Sequence, residues 1–148
     1  MSATGLAVFD TTIQKTHVWL DDIMREMQWS DERQRAYLAL RSVLHALRDR
    51  LTMEETLDLG AQLPMLVRGF YYEGWKPLDT PRKERHKEEF LAHIKQAFRN
   101  DDRMDPEQIT RAVFRVLARR VNEGEIQDIQ RILPAELREL WAPETAKA

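Results

Sequence analysis

Apolar residues recur along most of this chain at intervals of three and four. Trp19, Leu20, Ile23, Met24 and Met27 fall on one face of a helix, as do Phe90, Leu91, Ile94 and Phe98 further along. A second stripe carries Leu40, Val43, Leu44, Leu47 and Leu51, mirrored by Ile109, Val113, Val116, Leu117 and Val121. No alternation of period two is bounded by turn residues, so no strand is predicted. Asp105-Pro106 supplies an N-cap and a first-turn proline for the later of the second helices. Ser30, Asp31 and Glu32 offer the same signal earlier, which predicts a helix about a turn longer in the first half.

The mirroring extends to identities. Residues 41–68 and 111–138 align without gaps and share Arg41/Arg111, Val43/Val113, Leu47/Leu117, Arg50/Arg120, Glu55/Glu125, Asp58/Asp128, Leu63/Leu133, Pro64/Pro134 and Arg68/Arg138. Identity and apolar phase agree over most of each half, which is the signature of an internal duplication. Thr52-x-x-Glu55 and Asn122-x-x-Glu125 both read as capping boxes, which accounts for the matched glutamates without chemistry. Leu63-Pro64 and Leu133-Pro134 then stop the third helix, because the residue before proline avoids helical backbone. A short fourth helix follows in each half. The expected fold is all-α, with two tandem four-helix repeats (about eight helices) packed as one pseudo-symmetric bundle. The first repeat spans 11–76 and the second 77–143, with flexible termini at 1–10 and 144–148. The prolines and glycine of EGWKPLDTPRK mark the joint near 73–80.

Composition narrows the function classes. At 148 residues, 43% hydrophobic and 32% charged, the chain reads as a soluble globular protein. A net charge of -2 gives no global pull toward nucleic acid or anionic lipid. The absence of cysteine excludes disulfides, thiolate nucleophiles and zinc–thiolate sites. MSATGLAVFDTT has neither the basic region nor the apolar core of a signal peptide, and no run is long enough to span a bilayer. A cytoplasmic location and no membrane contact are therefore expected.

Candidate chemistry is sparse. His86, Glu89 and His93, spaced i, i+3 and i+7, would share one helix face, but two turns separate the imidazoles, too far for one ion. No pair of Glu-x-x-His motifs supports a di-iron bundle. There is no nucleophile elbow, and five glycines leave no phosphate-cradling loop. Paired carboxylates fall in caps and on outer faces. Arg111, Arg115 and Arg119 form a stripe that could track phosphates, yet the slightly acidic chain disfavours nucleic acid. No enzyme activity, cofactor, metal or catalytic residue is expected.

One stretch stands out. Phe70, Tyr71, Tyr72 and Trp75 crowd the segment GFYYEGWKP, which aligns with ELWAP at 139–143. Trp75 and Trp141 read as aromatic staples at the ends of the fourth helices. Tyr71 and Tyr72, absent from the second half, point about 100° apart on a helix, so one phenol should reach the surface. Tyr71, Tyr72, Glu73 and Trp75 are thus the candidate partner contact.

On the ALRSVLHALRDRL helix, the AQLPMLVRGFYYEGW segment and the repeated LP-x-x-x-R turns at 63–68 and 133–138, the chain resembles the bacterial family catalogued as domain of unknown function 2267. The likeness runs from about Thr11 to Pro143. It implies an all-helical cytoplasmic protein and carries no activity, cofactor or catalytic residue with it. The expected function is a non-enzymatic protein–protein interaction module whose partner and oligomeric state are unknown. The alternative is a small-ligand or metal binder using the inter-repeat cleft or the His86/His93 face.

Overall fold

A computed structural model of the chain describes residues 2–142. The helices are α1 (Ala7–Met27), α2 (Arg33–Arg48), α3 (Met53–Gly60), α4 (Met65–Tyr72), α5 (Lys87–Ala97), α6 (Pro106–Arg120), α7 (Glu123–Ile132) and α8 (Ala135–Arg138). Single 3-10 turns follow α4 at Pro77–Asp79 and α8 at Glu139–Trp141. No strand occurs among the described residues. The chain is all-α, as its periodicity predicts.

The two stripes become the core. Leu40, Val43, Leu44 and Leu47 of α2 and Ile109, Val113, Val116 and Leu117 of α6 are fully buried. Burying each such side chain contributes roughly 1.5–3 kcal/mol. Around this pair the contacts between halves exchange when the halves exchange. α1 lies on α6 as α5 lies on α2, while α2 meets α6 and α3 meets α7. Asp22 and Glu26 of α1 tie the halves further, with Arg120 donating to Asp22 at 2.8 Å and Arg115 and Arg119 donating to Glu26 at 2.7 Å each.

The LP-x-x-x-R turns are built alike. Arg68 donates to the carbonyls of Gly60 (2.8 Å) and Leu63 (2.9 Å). Arg138 donates to those of Gln130 (3.0 Å) and Leu133 (2.8 Å). Each guanidinium therefore satisfies acceptors left open where proline stops the preceding helix.

Four local expectations change. Residues 7–10, assigned to a flexible terminus, form the first turn of α1, held by Asp10 accepting from Thr4 at 2.8 Å and from Ser2. α2 exceeds α6 by one residue rather than a turn, because Asp31 takes left-handed backbone (φ 53°) and Glu32 precedes the helix without a side-chain cap. Asp105 caps as expected, accepting from Glu107 and Gln108. The capping boxes form only half. Thr52 accepts from the Glu55 amide and Asn122 from the Gly124 and Glu125 amides, but neither glutamate carboxylate returns to its cap. The joint is also longer than expected, running from Glu73 to His86. The flexible terminus expected at 144–148 lies outside the described residues.

Candidate functional site

The aromatic segment is mostly interior. Tyr71 is fully buried and its hydroxyl donates to the Thr56 carbonyl at 2.8 Å. Burial pushes its phenol pKa up, so it stays neutral. Buried Arg48 donates to the carbonyls of Tyr71 (2.7 Å) and Glu73 (2.8 Å), which closes the end of α4. His45, whose pKa burial lowers, contacts the Phe70 carbonyl at 2.6 Å.

Tyr72 is the phenol that reaches the surface, half-buried against α3. A β-carbon at Gly60 would collide with its ring and hydroxyl. The matched position in the second half is Gln130, and that half has no tyrosine to accommodate. Trp75 sits 5.5 Å from the Tyr72 ring, whereas Trp141 stacks on Phe114 at 4.0 Å. Glu73 pairs with Arg41 at 3.1 Å, matching the Glu139–Arg111 pair at 2.7 Å. Of the four candidate contacts, Tyr71 belongs to the core, Tyr72 and Trp75 are half-buried, and Glu73 is exposed.

The opposite face of α4 forms the more open feature. Met65 (48% exposed), Leu66 (44%) and Gly69 stand beside Phe9 (49%) and Ile13 (37%) of α1. With Thr4 and Thr12 they line an apolar groove of about 370 Å³. It continues past Leu66 and Gly69 into a depression of about 510 Å³ that Thr16, Tyr37, Phe70 and Glu73 complete. Glu73 is thus the one candidate contact that reaches this groove. The two helices are held in register by the Leu66 amide, which donates to the Thr12 hydroxyl at 2.9 Å. Around Gly69 a β-carbon would meet nothing within 4 Å, so the missing side chain leaves the floor open. Sequence reasoning missed this surface by stopping the first repeat at residue 11. The signal was the spacing of Leu6, Phe9 and Ile13, which extends the helical period toward the amino end.

The remaining candidates separate. His86 is the residue before α5, not within it, and its amide donates to Glu89 at 3.2 Å. His86 pairs with Glu136 at 3.3 Å, which raises its pKa, while His93 contacts Glu84 at 3.1 Å. Each imidazole thus has its own carboxylate. Arg111, Arg115 and Arg119 are likewise paired, with Glu107 and Glu139 for the first and Glu26 for the others. The joint borders a cleft of about 1220 Å³ lined by Arg50, Arg82, Lys83, Glu84 and Arg85 among others. Among the described residues no helix is long and apolar enough to cross a membrane.

No curated protein matches the chain. The family model described as "Uncharacterized conserved protein (DUF2267)" matches residues 16–140, which include every helix from α2 to α8 and most of α1, and the chain belongs to that family.

Proposed function

We propose that the chain is a non-enzymatic, cytoplasmic protein–protein interaction module, its two duplicated halves acting as one body. The observation that carries this reading is the continuous apolar groove between the amino end of α1 and α4. Its occupant is the apolar face of a helix from another protein. Exposed Phe9 and Ile13 on one side and Met65 and Leu66 on the other suit anchors at helical spacing, and methionine adapts its shape to a partner. Tyr72, Glu73 and Trp75 border the closed end of the same helix rather than forming the contact alone.

The test uses a photo-crosslinker at Ile13 in otherwise wild-type chain and in a Gly69→Leu variant. A β-carbon at this exposed position meets nothing within 4 Å, and leucine both occupies the groove floor and improves helix propensity, so the variant should melt no lower than wild type. The expected result is a discrete crosslinked protein lost in Gly69→Leu, whose crosslinked site maps to an amphipathic helix. A crosslink indifferent to Gly69→Leu, or one only to a second copy of this chain, would overturn the reading.

A second reading rests on the joint, where Arg50, Arg82, Lys83 and Arg85 gather around the cleft of about 1220 Å³. It makes the chain a binder of a small anionic ligand. Stabilisation by pyrophosphate that is lost in Arg82→Ala supports it, and no shift at millimolar pyrophosphate removes it.

A further inference from the structure

The half-formed capping boxes leave two carboxylates to be accounted for. Where α3 meets α7, Glu55 and Glu125 turn away from their caps and toward each other, joined by Asp58. Carboxylate oxygens of the three lie within 4.8 Å of one another. Glu125 is only 8% exposed, and its Oε2 and the Oε1 of Glu55 are both sealed from solvent without a hydrogen-bond partner. Among the described residues no lysine, arginine or histidine forms an ion pair with any of the three, and the nearby Asp128 is engaged by Arg131 at 3.0 Å. A buried, unpartnered carboxylate aimed at two others costs free energy unless a proton or a cation offsets the charge. One proton can neutralise one of three.

We infer that Glu55, Asp58 and Glu125 form a binding site for a hard divalent cation of calcium size, which clamps α3 to α7. The donor set is all oxygen, the preference of calcium and magnesium rather than of zinc or copper. Oxygens on opposite sides of a calcium ion lie roughly 4.6–5.2 Å apart, and of a magnesium ion roughly 4.0–4.2 Å. With every pair of the three oxygens inside 4.8 Å, the cluster falls within the span of a calcium shell. Asp58 is exposed, so the ion has an open side through which it enters and on which water completes its shell. Because Glu55 and Glu125 occupy matched positions in the two halves, the ion would sit where the halves are joined. This site is separate from the groove on α1 and α4, and the two proposals fail independently.

The experiment is thermal unfolding of the full chain at pH 8, with chelator and then with 5 mM calcium, magnesium or manganese chloride. Equilibrium dialysis against calcium runs in parallel. Calcium should raise Tm by about 3 °C, more than magnesium does, and dialysis should find one ion per chain. Glu125→Gln should abolish both effects. Asp58→Asn, at an exposed position, should weaken calcium binding, and because it takes one negative charge out of the cluster it should not lower Tm in chelator. The same calcium response in Glu125→Gln, or no response of the wild type to any of the three ions, would overturn the assignment. In the latter case the cluster holds a shared proton only.

Discussion

Where α1 packs on α6, Asp22 and Glu26 meet Arg120, Arg115 and Arg119; where α3 packs on α7, Glu55 and Glu125 meet each other. Both contacts join the same two halves, and both remove carboxylates from water. Their acid–base behaviour is opposite. Burial opposes ionisation of Glu26, but hydrogen bonds and charge from Arg115 and Arg119 prevail and hold its pKa below the usual range. For Glu125, burial acts in the same direction as the Glu55 side chain and the negative charge of Glu55, Asp58 and Asp128, and together they push it up to about 8. The difference lies in what stands opposite, not in the residue type. Glu55 and Glu125, at matched sequence positions, face each other across the contact, whereas Glu26, aligned with Ala97, meets arginines instead.

The largest expected effect breaks the α3–α7 side of this comparison. Between the ordinary carboxylate value of 4.5 and about 8, folded Glu125 retains a proton that the unfolded chain releases. The folded state therefore binds more protons, and stability must fall as pH rises through that window. The contribution is complete below about pH 4.5 and gone above about pH 8. In chelator, Glu125→Gln should abolish this slope and stabilise the protein at pH 8 by about 1–3 kcal/mol, since a buried unpartnered charge is replaced by a neutral amide. Denaturant titrations of both proteins from pH 5 to pH 9 measure it. A wild-type curve that is flat from pH 5 to pH 8 would mean that Glu125 ionises freely and that the contact resembles its α1–α6 counterpart.

An intermediate effect sharpens the comparison through the caps. Thr52 and Asn122 do form their amide bonds, so Thr52→Ala and Asn122→Ala should each cost about 1 kcal/mol. The Asn122 side-chain oxygen accepts from two backbone amides where Thr52 accepts from one, while the bond from its backbone N–H to Gln62 Oε1 (2.7 Å) survives the substitution. Its side-chain loss should therefore be the costlier of the two. Replacing Glu55 by Gln should leave the cost of Thr52→Ala unchanged, because the glutamate is not part of its cap. Strong coupling in that double-mutant cycle would restore the complete capping box.

Much of this was legible in the sequence, and the failures have physical causes. Helical period and proline placement locate the eight helices of the described residues because α2 and α6 bury one continuous stripe each, and the LP-x-x-x-R turns close on carbonyls only a few residues away. These are local facts. The role of Glu55 and Glu125 is not, since capping-box spacing and a between-halves contact give the same local pattern, and only the packing of α3 on α7 selects between them. Likewise, nothing local distinguishes Tyr71, sealed against Thr56 and Arg48, from its neighbour Tyr72, half-exposed over Gly60. The groove was missed for a different reason: Leu6, Phe9 and Ile13 carry helical spacing without burial, and an unburied stripe reads as a terminus.

The smallest effect belongs to the α1–α6 side. Glu26 is partly buried, but its arginines are one-third to one-half exposed, so solvent and salt screen the pairs. Glu26→Gln should cost about 0.5–1 kcal/mol at neutral pH and low ionic strength, and most of that should vanish in 0.5 M salt. Its pH dependence should oppose that of Glu125. A carboxylate whose folded pKa is lowered stabilises above its unfolded value of 4.5, and the contribution is lost as pH falls through the lower folded value. The wild-type advantage over Glu26→Gln should therefore be constant from pH 6 to pH 9, where Glu125 titrates, and disappear in acid. Chemical unfolding of the variant at two salt concentrations and at pH 3 and pH 7 tests both points. A cost that survives 0.5 M salt would mean that the guanidinium stems of Arg115 and Arg119 contribute through packing rather than charge, and the two contacts between halves would then differ in kind as well as in sign.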